Sequence, residues 1–175
     1  MGVKTGWAVV GLGVHAVERM LPALARAHTA RLVGAYSRRP EVTREIAGRY
    51  GARGYETLDH VLRDPDVDIV YLATPNDVHA AQTLRCAEAG KHVLVEKPMA
   101  LSVEDADSMV HACAQARTRL YVGFHLRFHP AHQRARALVT SGAIGSVVWA
   151  GARWASRPRP LRARSLRPSE RVPSG

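Results

Sequence analysis

The chain has 175 residues, a hydrophobic fraction of 46% and a formal net charge of +10 at pH 7. This length accommodates one domain, or one domain with part of another, and a core of ordinary size. No apolar run approaches the roughly 18 residues that cross a membrane, and the N-terminus lacks the apolar stretch of a signal peptide, so we expect a cytoplasmic protein.

Charge and cysteine content narrow the range of partners. Residues 151–175 contain seven arginines and one glutamate, a net charge of +6, so the other 150 residues carry only +4, which suits a domain that accepts a polyphosphate. Nucleic-acid binding by the arginine-rich end is a weaker alternative. The two cysteines, Cys86 and Cys113, match no metal spacing and are expected to be buried thiols in a reducing compartment.

The first strongly patterned stretch is Trp7–Ala16. Its apolar start, Trp7–Val10, predicts a buried parallel strand, and Gly11, Gly13 and Ala16 follow with the spacing G-x-G-x-x-A. In this pattern the first glycine permits the turn, the second lets the backbone approach a ligand, and the small third residue lets the helix pack on the strand. The amides at the helix start then favour an anion such as a pyrophosphate. The alternative is that these glycines and the alanine form an ordinary strand-to-helix turn that binds no ligand.

A helix is predicted to begin near Val14 and to kink or break at Pro22, and a second strand is predicted at Arg31–Tyr36. In a dinucleotide site the end of this strand faces the adenosine ribose, where an acid would bind the hydroxyl groups. Here Ser37, Arg38 and a second arginine follow the strand instead. Guanidinium groups suit a 2′-phosphate, so the sequence favours NADP over NAD. The alternative is an arginine pair in a solvated turn.

The next elements lead to a third buried strand. They are a helix at Glu41–Tyr50 ended by Gly51, a strand at Arg53–Tyr55, a helix at Thr57–Arg63 and a strand at Val67–Ala73. Ligands lie beyond the carboxyl ends of such strands, so Thr74, Pro75 and Asn76 are candidate cofactor contacts. Asn76 or Asp77 is the expected cap of the following helix. His79 lies one turn into that helix and is either a cofactor contact or a half-buried residue without a role.

A fourth buried strand, Lys91–Val95, ends at Glu96, Lys97 and Pro98. A lysine at the end of a central strand can donate to a substrate hydroxyl or carbonyl oxygen, and positive charge nearby or partial burial would lower its pKa toward the working range. The same three residues also fit a plain surface turn. A cis peptide bond before Pro98 is a further hypothesis.

The remaining predicted elements are a helix from Ser102 to about Ala116, strands at Leu120–Val122 and Ser146–Trp154, and a helix at Ala131–Thr140. The spacing of His125, His129 and His132 invites a metal interpretation. No cysteine or carboxylate joins them, and a proline separates two of them from a shared helix, so no metal site is predicted. Arg127 is the better candidate for contact with a cofactor or substrate.

Together these stretches resemble the glucose-fructose oxidoreductase, inositol dehydrogenase and rhizopine-catabolism (Gfo/Idh/MocA) family. The matching segments are Gly11–Ala16, Ala73–Asn76 with His79, Gly90–Pro98, Arg127–Pro130 and Gly142–Gly145. The resemblance covers about residues 5 to 150. It implies an α/β fold with a Rossmann-type doubly wound parallel sheet and only a remnant of the C-terminal α+β substrate domain.

The resemblance also implies a role for each matching residue. Gly11, Leu12, Gly13, Val14, His15 and Ala16 would hold the pyrophosphate, and Ser37 and Arg38 the adenosine ribose or its phosphate. Thr74, Pro75, Asn76 and His79 would line the middle of the cofactor, with Glu96 and Lys97 near the nicotinamide and His125 and Arg127 flanking the same cleft. Lys97 would be the catalytic lysine that assists proton movement during hydride transfer to or from a sugar, polyol or related substrate. NADP is the expected cofactor, with NAD as the alternative.

The domain organisation departs from the family. We expect a dinucleotide-binding domain at residues 1–122, a connecting helix and first strand of an incomplete substrate domain at 123–154, and a disordered arginine- and proline-rich tail at 155–175. Such a tail is what reading a G+C-rich gene in the wrong frame produces, so a truncated or frameshifted product is expected. The alternatives to an active oxidoreductase are a non-catalytic NADP-binding module and an inactive truncated product.

Overall fold

A six-stranded parallel sheet organises the computed structural model, which describes residues 4–153. The strands are β1 Thr5–Val10, β2 Ala30–Tyr36, β3 Arg53–Tyr55, β4 Ile69–Leu72, β5 His92–Val95 and β6 Leu120–Val122. Their spatial order is β3-β2-β1-β4-β5-β6. The chain therefore runs outward from β1 to one edge and returns beside β1 as β4, which creates a topological switch point between these two strands. This confirms the predicted Rossmann-type sheet.

Helices lie between consecutive strands, and one further helix follows β6. They are α1 Leu21–Arg26, α2 Pro40–Tyr50, α3 Leu58–Arg63, α4 His79–Glu88, α5 Val103–Gln115 and α6 Pro130–Thr140. Two of the predicted boundaries have the expected chemistry. The side chain of Ser102 accepts a hydrogen bond from the amide of Asp105 at the start of α5, and Gly51 ends α2 with a φ of +61°.

Both faces of the sheet are buried. On one face Ala8 and Val10 of β1 pack with α3, α4 and α5, and on the other Val9 packs with α1 and α2. Alternate residues of a strand point to opposite faces, so a strand covered on both sides needs an unbroken apolar run. This explains why Trp7–Val10 carries no polar residue, and it confirms a doubly wound arrangement.

The helical path after β1 is irregular near the predicted proline break. The backbone is helical from Val14, adopts π-helical bonding over Ala16–Met20, and continues as α1 to Arg26. Pro22 has no N–H and its ring crowds the preceding turn, so a wider turn just before it accommodates the ring without ending the helix. The predicted kink is thus realised as a π-helical turn.

Two predicted features are wrong. Neither Asn76 nor Asp77 occupies the cap position of α4, which belongs to Val78; Asn76–Val78 form a short 3-10 turn that runs directly into the helix. Residues 146–153 form no strand, because a lone apolar segment has no neighbouring strand to satisfy its backbone. The last residue of that predicted strand, Trp154, and the tail predicted at residues 155–175 lie outside the described residues.

The described part of the chain divides into two compact units, with the division between Arg127 and Phe128. The first contains the whole sheet, and the described part of the second contains α6. The side chain of His129, which caps the N-terminus of α6, accepts a hydrogen bond from the amide of Ala131. The first unit extends five residues beyond the boundary expected at residue 122. Within residues 4–153, no helix has both the length and the apolar character needed to cross a bilayer.

Candidate cofactor site

The turn after β1 is built around two glycines with different constraints. Gly11 has a φ of +93°, and a Cβ on it would lie 2.5 Å from the carbonyl carbon and oxygen of Ala73, so a side chain is excluded by the neighbouring backbone. A Cβ on Gly13 would meet nothing within 4 Å. Ala16, which begins the π-helical turn, is fully buried. Gly11 is therefore required by the fold, whereas the space beside Gly13 is open to a ligand.

This geometry fits a pyrophosphate. The first amides of a helix have no acceptor within the helix, and they begin here next to the open space at Gly13. The amide of Gly11 donates to the carbonyl oxygen of Tyr36 at 2.9 Å, which holds the turn against the end of β2. Leu12 is buried, while Val14 and His15 are exposed on the first helical turn. The fingerprint residues are thus brought together as the sequence predicts.

The segment after β2 adds positive charge beside the same turn. The amide of Ser37 donates to Thr43 Oγ1 at 3.0 Å, and Arg39 Nη2 donates to the carbonyl oxygen of Leu12 at 3.3 Å. Arg38 is exposed next to them. Ser37 and Arg38 are the predicted contacts, but it is the guanidinium of the next residue, Arg39, that contacts the glycine-containing turn. The sequence signal for Arg39 as a site residue is its position immediately after Ser37 and Arg38.

The residues after β4 include exposed candidates for cofactor contact and one candidate, His79, that is buried. Thr74 Oγ1 donates to Gln82 Oε1 at 2.6 Å, and Pro75 and Asn76 are exposed. His79 is fully buried, and its Nδ1 and Nε2 lie 3.0 Å from the carbonyl oxygens of Pro98 and Thr74. The expectation that the ring of His79 lines the cofactor is corrected, because both ring nitrogens face main-chain carbonyls in the interior. His79 instead connects the segments that follow β4 and β5.

The carboxylate of Glu96, just after β5, contacts one residue of β4 and one residue of the helix that follows β1. Glu96 Oε1 accepts a hydrogen bond from the hydroxyl of Tyr71 at 2.7 Å and lies 3.3 Å from Nε2 of His15. Its other oxygen accepts from the amide of Lys97 at 3.2 Å. Burial, together with the hydrogen bond to Glu96, raises the pKa of Tyr71. The phenol therefore stays protonated and remains a donor to Glu96.

Tyr71 is a site residue that the sequence analysis missed. It lies within the apolar run of β4 and is almost completely buried, so its sequence pattern matches that of a core residue. Gly123, just after β6, also lies against Glu96, because a Cβ on it would lie 2.8 Å from Glu96 Oε1. The carboxylate is thus enclosed by Tyr71 of β4, by His15 on the helix after β1, and by the residues that follow β5 and β6.

Lys97 is exposed beside this carboxylate. The peptide bond between Lys97 and Pro98 is cis, which confirms the hypothesis drawn from the sequence. A cavity of about 480 Å³ opens next to it. The residues that line the cavity are Lys97, Gly123, Phe124, His125, Leu126 and Arg127. The structure therefore brings His125 and Arg127 to the same place as Lys97.

A parallel sheet with this switch point, a glycine turn open to an anion and basic groups around it defines a nicotinamide-dinucleotide-binding domain of the Rossmann type. A family model described as "Oxidoreductase family, NAD-binding Rossmann fold" matches residues 5–124. The chain belongs to the Gfo/Idh/MocA family of oxidoreductases.

Relatives of known activity cover most of this chain but are much longer. A 1,5-anhydro-D-fructose reductase from Ensifer adhaerens is 37% identical over 81% of the chain and 43% of its own length. A 1-carboxy-3-chloro-3,4-dihydroxycyclohexa-1,5-diene dehydrogenase from Comamonas testosteroni is 39% identical over 79% of the chain and 35% of its own length. The chain thus spans less than half the length of these relatives.

Solved structures are also similar over most of this chain, which covers less than half of each of them. An aldose-aldose oxidoreductase from Caulobacter crescentus, complexed with glycerol, is similar with a TM-score of 0.77 and 41% identity, over 81% of this chain and 44% of that one. The 3-ketoreductase KijD10 from Actinomadura kijaniata, in complex with NADP, has a TM-score of 0.75 and 30% identity over 81% and 45%. The dehydrogenase WlbA from Bordetella pertussis, in complex with NADH, has a TM-score of 0.75 and 31% identity over 82% and 41%.

Proposed function

We propose that the chain is the cofactor-binding part of an NADP-preferring oxidoreductase that acts on a hydroxyl or carbonyl group of a sugar, polyol or related compound. The observation that carries this proposal is the open space beside Gly13, which lies at the start of a helix and next to the guanidinium-bearing segment after β2. The buried thiols of Cys86 and Cys113 fit a reducing compartment, and we assign the protein to the cytoplasm.

In this proposal some residues of the carboxyl edge bind the cofactor, and others transfer a proton or position the residue that does so. The residues from Gly11 to Ala16 bind the pyrophosphate, and Thr74, Pro75 and Asn76 contact the middle of the cofactor. A nicotinamide dinucleotide held by these residues would supply the hydride-transfer chemistry. Lys97 donates to the substrate oxygen and holds or releases a proton there as the oxygen changes between hydroxyl and carbonyl. Glu96, fixed by Tyr71 and His15, positions the segment that carries Lys97.

The preference for NADP is proposed from the residues after β2. Residues 37–39 are one serine and two arginines, and none of them is an acid that would bind ribose hydroxyls and repel a phosphate. The relatives of known structure include complexes with both NADP and NADH, so the preference has to come from this chain's own residues. A charge-assisted hydrogen bond to a 2′-phosphate contributes about 1.5–3 kcal/mol, or roughly ten- to hundredfold in affinity.

Calorimetric titration of the purified chain with NADPH and NADH tests the proposal. We expect tighter binding of NADPH, by about tenfold or more. Arg38→Gln and Arg39→Gln should each weaken NADPH and leave NADH nearly unchanged. Arg49→Gln is the matched control, because Arg49 forms an ion pair with Glu45 elsewhere on α2. Equal affinities for the two dinucleotides, or equal losses in the variants, would contradict the NADP preference.

The length of the relatives supports a second candidate, a non-catalytic NADP-binding module. The chain spans 35–45% of the relatives and structures described above, so part of a substrate pocket could be contributed from beyond it. A dehydrogenase assay separates the two candidates. Turnover of a polyol or sugar by the chain alone would exclude the module, whereas tight NADPH binding without turnover would favour it.

A further inference from the structure

One histidine connects the glycine-containing turn after β1 to the segment that carries Lys97. His15 lies in the first helical turn after Gly13, and its Nε2 is 3.3 Å from Oε1 of Glu96. The side chain of His15 is 50% exposed, whereas that of Glu96 is only 17% exposed. The imidazole therefore contacts a largely buried carboxylate and still presents half of its surface to a ligand.

The negative charge of Glu96 has one partner that can neutralise it. Its two oxygens accept hydrogen bonds from the hydroxyl of Tyr71 and from the amide of Lys97, and both of these donors are neutral. Among residues 4–153, His15 is the basic side chain that lies within ion-pair distance of Glu96. A carboxylate with little access to water is stabilised by a cation beside it, so Glu96 favours a protonated His15.

The other groups around the imidazole carry charges of both signs. The ring of His125, which follows β6, has its centroid 6.1 Å from that of His15. Glu18 and Arg19 lie about one turn further along the same helix. The exposed side chain of Lys97 belongs to the residue after Glu96. Of these groups and Glu96, it is the carboxylate of Glu96 that lies within ion-pair distance of the imidazole in the described structure.

A bound dinucleotide would bring a second negative charge to this place. In the proposed function the pyrophosphate is bound by Gly11–Ala16, the turn to which His15 belongs. Histidine gains or loses its proton near neutral pH, and negative charge nearby favours the protonated form. An imidazolium at this position would be attracted both to Glu96 and to the pyrophosphate. A neutral imidazole would leave the repulsion between the two anions uncompensated.

We propose that His15 takes up a proton when NADPH binds, and that the resulting imidazolium holds Glu96 to the turn that binds the pyrophosphate. Because Glu96 accepts a hydrogen bond from the amide of Lys97, the imidazolium also fixes the segment that carries Lys97. His15 is thus a positioning residue, which acts on Lys97 through Glu96. This inference rests on the proposed function and adds to it a link between cofactor binding, a proton and the position of Lys97.

Calorimetric titration of the full chain with NADPH, in buffers of different ionisation enthalpy, measures the proton uptake. At about pH 7 the chain should take up about half a proton more than His15→Gln does. Between about pH 7 and 8.5 its NADPH affinity should fall by about threefold more than that of the variant. The 2′-phosphate of NADPH titrates near pH 6 and contributes equally to both. His60→Gln, which changes an exposed histidine of α3, is the matched control and should behave like the original chain.

NMR of the ring nitrogens gives a second readout, which needs no variant. The nitrogen shifts of a histidine-labelled chain distinguish an imidazolium from a neutral imidazole, and the signal of His15 is assigned through its own backbone amide. At about pH 7.5 we expect the imidazolium fraction of His15 to rise when NADPH is added. The same fraction of His60 should stay unchanged.

Several results would overturn the inference while leaving the proposed function intact. They are NADPH binding with equal proton uptake in the original chain and in His15→Gln, equal effects of His15→Gln and His60→Gln, and an imidazole of His15 that stays neutral in the complex. The last result decides the question even if His15→Gln fails to fold. Absence of NADPH binding by the original chain would instead overturn the proposed function, and the inference with it.

Discussion

Individual side chains at the carboxyl edge act through one another. Lys97 is the proposed catalytic residue, but its segment is fixed by Glu96, and Glu96 is fixed in turn by Tyr71 from the middle of the sheet. His79 connects the other side of the same segment, at Pro98, to the end of β4. The motif residues Glu96 and Lys97 could be predicted from the sequence. Tyr71 could not, because its role depends on a pairing between strands 25 residues apart in the chain.

Replacement of Tyr71 tests this arrangement. Tyr71→Phe keeps the ring but removes the donor to Glu96, whose side chain is only 17% exposed. We expect a loss of about 1–2 kcal/mol in the free energy of unfolding, measured by urea denaturation at pH 7. Tyr121→Phe is the control, because Tyr121 lies on the edge strand and is 64% exposed. Equal stability of the two variants would show that the hydrogen bond to Glu96 does not hold the segment.

Secondary-structure elements follow local rules wherever their neighbours agree with those rules. The strands could be predicted because an unbroken apolar run indicates a strand that is buried on both faces. Most helix boundaries could be predicted because Gly51 favours the end of a helix and Ser102 favours the start of one. The segment at 146–153 has the composition of a strand but finds no partner in the described chain. Asn76 could serve as a cap by composition, yet the backbone enters α4 through a 3-10 turn. These two errors arise from context that no local pattern contains.

Gly48 within α2 and Gly51 just after its end give opposite predictions. Gly48 lies within the helix with nothing within 4 Å of a Cβ, so Gly48→Ala should stabilise the protein by about 0.5–1 kcal/mol. Gly51 has a φ of +61°, which L side chains adopt at a cost, so Gly51→Ala should destabilise it by about 1 kcal/mol. Thermal unfolding of the two variants measures both effects. A change of the same sign in both would contradict the assigned end of α2.

At the scale of the whole molecule, a parallel sheet directs the ends of all its strands to one edge. Residues that are distant in the sequence, such as Gly13, Arg39, Lys97 and Arg127, are therefore contributed to the same side of the domain. The family could be recognised from the spacing of its motifs. The substrate could not, because the chain spans less than half the length of its relatives.

The proposed function depends most on phosphate recognition at the turn after β1, and Gly13→Val tests this recognition directly. A side chain at Gly13 meets no protein atom within 4 Å of its Cβ, so the fold should persist, with an unfolding midpoint close to that of the original chain. The added methyl groups would occupy space that the pyrophosphate needs, so calorimetry should show NADPH affinity reduced by about tenfold or more. Gly48→Val on α2 should leave binding unchanged. NADPH binding by a folded Gly13→Val variant with unaltered affinity would contradict the account.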